Sequence, residues 1–168
     1  MKAQRRLRAM LAASAVVVLA TLARADAPSD QYNLFNLNSD VIEDQKTGLY
    51  WQRYPLTTGL SFYEAATQCG QLSLDTLTTG WRVPSYKELL TLVDESPHVE
   101  YEGGQLVEKW IDGNAFPGVT AAPVTMSGYW TSSAYPVPPA GYAYTVNFSS
   151  GIPQTQTVTT PQYVRCVH

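Results

Sequence analysis

The chain is short of the parts that catalysis uses. It has two histidines, His98 and His168, with no Gly-x-Ser-x-Gly elbow and no His-based metal spacing, so hydrolytic chemistry lacks its usual groups. Two cysteines, Cys69 and Cys166, form no Cys-x-x-Cys pair, which speaks against a metal-binding or redox-active thiol site. Charged residues make up 15% of the chain, low against about 25% in average domains, and no Lys/Arg cluster follows Arg24. Nucleic acid and anionic lipid are therefore poor candidate partners. Core-forming residues, by contrast, are plentiful. With 45% hydrophobic residues, 4 Trp, 4 Phe and 11 Tyr, the composition excludes disorder and fits one globular domain.

Residues 1–25 carry the clearest address. A basic start (Lys2, Arg5, Arg6, Arg8), an apolar stretch over 10–23 and Ala23-Arg24-Ala25 read as a secretory signal peptide with an A-x-A cleavage site. The stretch is shorter than the ~20 apolar residues that span a bilayer, and no second run of membrane length follows. No Cys stands at the cleavage site directly after the stretch, so lipoprotein attachment has no acceptor. The expectation is an exported protein without a transmembrane segment, periplasmic or secreted to the cell surface. Cleavage removes Lys2, Arg5, Arg6, Arg8 and Arg24 and leaves six basic against fourteen acidic residues, a net charge of −8. In an oxidising compartment an even cysteine count implies a bridge between Cys69 and Cys166.

Residues 26–40 mix Pro, Ser, Asn and Asp without periodicity and read as an N-terminal extension, with the compact fold starting near Asn33. From 41 to 52, two apolar runs flank a polar stretch ending in Gly48, the pattern of a hairpin. Two capping boxes follow. Ser61-Phe62-Tyr63-Glu64 opens a helix that carries Cys69 inward, and Ser85-Tyr86-Lys87-Glu88 opens a second helix running to about Val93. Residues 94–126 are rich in Gly, Pro, Asp and Asn and read as a long-loop region, with a hint of a short element only at 106–111. Strand-like runs then occur at 128–133, 142–149 and 162–167, with Ser149-Ser150-Gly151 as a hairpin turn, and are expected to form one antiparallel sheet. The plan is α+β, with one domain over 41–168.

Several ordered strings resemble a known bacterial family. They are Thr47-Gly48-Leu49-Tyr50-Trp51-Gln52, Glu64-Ala65-Ala66 with Cys69, Gly80-Trp81-Arg82-Val83-Pro84-Ser85 with Lys87-Glu88-Leu89, Tyr129-Trp130-Thr131-Ser132-Ser133, Val146-Asn147-Phe148 and Tyr163-Val164-Arg165-Cys166-Val167. Together they resemble the Legionella collagen-like protein C-terminal domain family, a domain family of unknown function, over about 41–168. The chain is also distantly similar to the formylglycine-generating enzyme and C-type lectin-like folds. The resemblance implies a C-type lectin-like scaffold of two short helices, a long-loop region and an antiparallel sheet, closed by a bridge from the first helix to the final strand. It also implies binding of glycans, sulfated ones included. The acidic mature chain departs from what sulfated ligands require.

The Glu-Pro-Asn-like and Trp-Asn-Asp-like triplets of calcium-dependent lectins are missing. Asp94, Glu95, Glu100, Glu102, Asp112 and Asn114 nevertheless supply oxygens that calcium accepts, and are the candidate metal ligands, the plainer reading being a solvated acidic loop. Trp51, Trp81 and Trp130 lie inside the family strings and are assigned to the core. Tyr101, Trp110 and Tyr135, outside them, are the candidate ligand-contact residues, since sugar rings stack on aromatic faces; Tyr129, Tyr142 and Tyr144 could add to such a surface. Asn147 reads as a turn cap and Arg82 as the partner of Glu88 or Asp94. The expected function is a non-catalytic binding module for a neutral glycan or a surface partner. The alternative is a structural or protein-docking subunit of an envelope or secreted assembly, and an unrecognised enzyme comes third.

Overall fold

The computed structural model describes residues 27–28, 30–35, 39–56, 58–102, 104–118, 128–136 and 141–168. The predicted signal peptide lies outside them. Three antiparallel sheets and two short helices follow in the order β1 (Tyr32–Leu34), β2 (Val41–Asp44), β3 (Leu49–Gln52), α1 (Phe62–Gly70), α2 (Tyr86–Leu90), β4 (His98–Glu102), β5 (Gln105–Lys109), β6 (Tyr129–Ala134), β7 (Tyr142–Asn147) and β8 (Ile152–Thr157). The sheets are β1-β2-β3, β4-β5 and β6-β7-β8.

The predicted hairpin is β2–β3, and Gly48 takes φ +71°, a conformation that costs glycine little. Both capping boxes form. In α1 the Ser61 hydroxyl accepts from Glu64 N while Glu64 accepts from Ser61 N, and Ser85 and Glu88 do the same in α2. Thr91 caps α2 earlier than the expected end near Val93.

Three expectations are corrected. The segment read as an extension supplies β1, which pairs with β2 in the register Tyr32↔Asp44 to Leu34↔Ile42. The region read as a long loop contains the β4–β5 hairpin, turning with Gly104 at φ +89°. Residues 162–167 form no strand of the last sheet and meet it only at one parallel bridge, Tyr163 to Tyr129 of β6. That sheet's third strand is β8, polar and bearing Pro153, while residues 162–168 make isolated bridges to Leu60, Tyr129, Trp51 and Arg82. Proline and polar side chains suit an edge strand, where one row of backbone donors faces away from any neighbour.

Two cores share these strands. Ile42, Trp51, Leu89, Phe116, Tyr129, Val146 and Val167 pack in one, and Val41, Ala65, Cys69, Trp81, Trp130, Ala143 and Cys166 in the other. Val41/Ile42, Tyr129/Trp130 and Cys166/Val167 are neighbours in sequence that enter opposite cores. Extended backbone alternates its side chains, so these segments lie between the two cores and are buried on both faces.

Arg165 is fully buried and donates to the carbonyls of Gln52 (2.6 Å) and Arg53 (2.5 Å), with its guanidinium 4.8 Å from the Phe116 ring centroid. Burial lowers its pKa to about 10, which leaves it charged at neutral pH.

Cys69 and Cys166 are bonded, across a sequence separation of 97. Replacing both with Ala should cost about 2–5 kcal/mol, because the open chain regains the loop entropy that the bridge removes. Guanidinium unfolding of the oxidised chain beside the double variant measures this, and equal midpoints would show that the bridge does not stabilise the fold.

Candidate functional site

Tyr86 is the first residue of α2, and a chain of polar contacts fixes it. Arg82 grips the Glu88 carboxylate with two nitrogens, at 2.8 and 2.6 Å, and the same carboxylate accepts from Ser85 N at 2.7 Å. A two-pronged guanidinium–carboxylate pair fixes orientation as well as distance. Tyr86 N then donates to Ser133 Oγ at 3.2 Å, which ties the helix start to β6.

The β6–β7 register shifts between Trp130 and Ala134. Thr131 fills that irregularity, donating to Tyr144 O at 3.0 Å and accepting from Ser133 N at 3.2 Å. The shift re-aims the end of β6, as β-bulges do, and Tyr135 N pairs with Tyr142 O at 2.9 Å. Three half-buried rings meet as a result. Tyr86 and Tyr144 have centroids 4.9 Å apart at 34°, and Tyr135 stands edge-on to Tyr144 at 5.4 Å and 76°. Each ring joins an apolar face to a hydroxyl, a combination suited to a polyhydroxylated ligand with one C–H-rich face.

Of the predicted contact residues, only Tyr135 joins this cluster. Tyr101 is 74% exposed on the β4–β5 hairpin. Trp110 serves packing instead. Its backbone bonds Phe148 O and Asp94 N, and its ring lies over the β7–β8 turn so closely that a Cβ on Gly151 would sit 2.9 Å from it. Asn147 caps that turn, accepting from Ser149 N at 2.8 Å.

The predicted metal ligands are dispersed. Asp94, buried, lies 3.2 Å from His98 Nε2, and burial raises its pKa. Glu100 pairs with Lys109 at 2.6 Å, and Asp112 Oδ1 accepts from Asn114 N and Ala115 N at 2.8 and 3.0 Å. Glu95 lines a shallow depression beside Tyr32, Asn114 is exposed, and the Glu102 side chain lies outside the described residues. Among the described residues no group of three or more His, Cys, Asp or Glu side chains could hold a metal ion. Nor is any helix there long and apolar enough to cross a membrane.

Sequence reasoning missed Tyr86 as a site residue. The available signal was its place in the second capping box, directly after the N-cap, where an aromatic side chain at the helix start shares the face of Leu89 three residues on and sits at the edge of that core.

The structure thus defines a domain of mostly antiparallel sheets with two short helices and one disulfide. The chain belongs to the Lcl C-terminal domain family, which it matches over residues 40–168. No curated protein and no solved structure matches it.

The Arg82–Glu88 contact generates a pH prediction. Hydrogen bonding to Arg82, and then to Ser85, lowers the Glu88 pKa from 4.5 to about 2 against the opposing effect of burial. A depressed carboxylate contributes stability that is full above its unfolded value and is lost as pH falls through the folded value. Stability should therefore decline between pH 4.5 and about 2, and the Glu88→Gln variant should lose part of that slope while being less stable at pH 7. Denaturant midpoints across this range check it, and an unchanged slope would remove Glu88 from the account.

Proposed function

We propose that this protein is an exported, non-catalytic binding module on a C-type lectin-like scaffold, and that it holds a neutral glycan on the Tyr86–Tyr144–Tyr135 platform. The contiguous half-buried rings are the observation that carries the reading. Rings held by neighbouring rings and by the anchored start of α2 lose little freedom when a sugar settles on them, and this preorganisation favours affinity. The flanking Ser133 and the tyrosine hydroxyls supply polar contacts. The bridge from α1 to the closing segment supports the scaffold and fits an oxidising compartment outside the cytoplasm. Net charge favours neutral over sulfated sugars, and the binding step takes no cofactor.

A second reading, protein docking in an envelope or secreted assembly, is favoured by one observation. Val99, Tyr101 and Leu106 stand 59%, 74% and 74% exposed on the outer face of the β4–β5 hairpin.

A glycan array probed with oxidised protein, in calcium and again in chelator, separates these readings. The platform reading expects selective neutral-sugar signal that survives chelation. It also expects Tyr86→Ala and Tyr135→Ala each to weaken binding about tenfold, or about 1.4 kcal/mol, with the fold retained by circular dichroism. Loss of signal in chelator would move binding to the acids of residues 94–114, and no glycan signal at all would favour docking.

A further inference from the structure

A second concavity, of about 340 Å³, is lined by Tyr32, Leu34, Ile42, Arg53, Asp112 and Asn114 among others. That volume is at the small end for ligand pockets and suits a single small molecule. Its charges are unusual for this chain. Arg82 pairs with Glu88, Lys109 pairs with Glu100, and Arg165 points Nη1 at the carbonyls of Gln52 and Arg53, its Nε and Nη2 being buried in the core without a partner among the described residues. Arg53 forms no ion pair with a described residue. Its guanidinium lies 5.2 Å from the Tyr54 ring centroid, and its Nε is buried with no hydrogen-bond partner.

The Arg53 backbone is fixed on both sides, with N donating to Asp40 O at 2.8 Å and O accepting from Arg165. A buried Nε without an acceptor among the described residues calls for an explanation, since buried polar groups are nearly always paired. Asp112 has a matching surplus. Its Oδ1 holds the turn through Asn114 N and Ala115 N, while its Oδ2 bonds no described residue. Cation and anion thus line one cleft without pairing to each other, and Leu34 and Ile42 add an apolar wall.

We propose that this cleft binds a small zwitterion of the amino-acid class, its carboxylate on Arg53, its ammonium on Asp112 Oδ2 and the Asn114 side-chain oxygen, and its apolar side chain against Leu34 and Ile42. A guanidinium matches a carboxylate with two parallel hydrogen bonds, and each charge of the ligand meets its opposite. The site is separate from the tyrosine platform and stands or falls independently of it.

The test is calorimetric titration of the oxidised full chain with leucine, N-acetyl-leucine, leucinamide and glucose. Saturable leucine binding is expected, with each blocked derivative at least tenfold weaker and no heat from glucose. Arg53→Gln and Asp112→Asn should each weaken leucine at least tenfold. Asp112→Asn keeps an oxygen for the two turn N–H groups, so it should melt as the parent does. No saturation with leucine, equal binding of the blocked derivatives, or glucose binding as well as leucine would overturn the proposal, and these comparisons on the unaltered chain do not depend on any variant folding.

Discussion

Residues 162–168 are the constraint on which the rest of the structure depends. This segment runs between the two cores and is bonded to α1, β3 and β6 and to the chain on either side of α1. Gln162 exchanges backbone hydrogen bonds with Leu60 at the entry to α1, and Tyr163 bonds Gly128 and Trp130 at the start of β6. Cys166 is joined to α1 by the disulfide and to β3 through Gln52, Val167 exchanges bonds with Arg82, and His168 with Tyr50. No continuous ladder with one neighbour could bring α1, β3 and β6 together in this way. The backbone groups of so buried a segment must be satisfied, and dividing them among several partners makes the partners' positions interdependent.

The candidate site inherits its geometry from that segment. Val167 fixes the backbone of Arg82, Arg82 fixes Glu88, and Glu88 with Ser85 fixes the start of α2, where Tyr86 begins. On the other side, Trp130 is held by Tyr163 O and by its indole N–H on Leu60 O at 2.7 Å, which sets the strand whose register shift leads to Tyr135. The cleft at Arg53 has the same origin, because Arg165 of the closing segment holds the Arg53 carbonyl. Both concave or aromatic features are therefore rooted in rigid, buried backbone, the arrangement that holds contact groups in place before a ligand arrives.

What could be read from sequence was local. The capping boxes, the hairpin at Gly48 and the cysteine pair each rest on a short signal with its own mechanism, and each forms. The β4–β5 hairpin was missed because its pattern is inverted: His98, Glu100 and Lys109 face one side and carry its ion pairing, while Val99, Tyr101 and Leu106 face solvent. The paired glycines Gly103-Gly104 between two alternating runs were the available turn signal. β8 was missed because an edge strand of Pro, Gln and Thr resembles a loop in composition. Residues 162–167 were misplaced for the opposite reason, since burial on both faces looks like an ordinary core strand. Which aromatics meet, and that Arg53 is unpaired, depends on long-range packing that no local signal encodes.

The inverted hairpin also bears on how the molecule divides its work. Lys109 is 3% exposed and pairs with Glu100, so the inner face carries a partly buried ion pair, whose desolvation offsets much of its attraction. A two-stranded hairpin stabilised in this way, with Val99, Tyr101 and Leu106 outside and only Val107 of its apolar residues on the inner face, has little stability of its own. Its opening should cost less than disrupting the disulfide-tied platform, because it lacks the shared core that holds β6, β7 and α2. On the proposed reading, recognition that needs fixed geometry falls to the tyrosines. The hairpin's outer face, where burial of Val99, Tyr101 and Leu106 would add the stability it lacks, is the place where a protein partner would be felt most strongly.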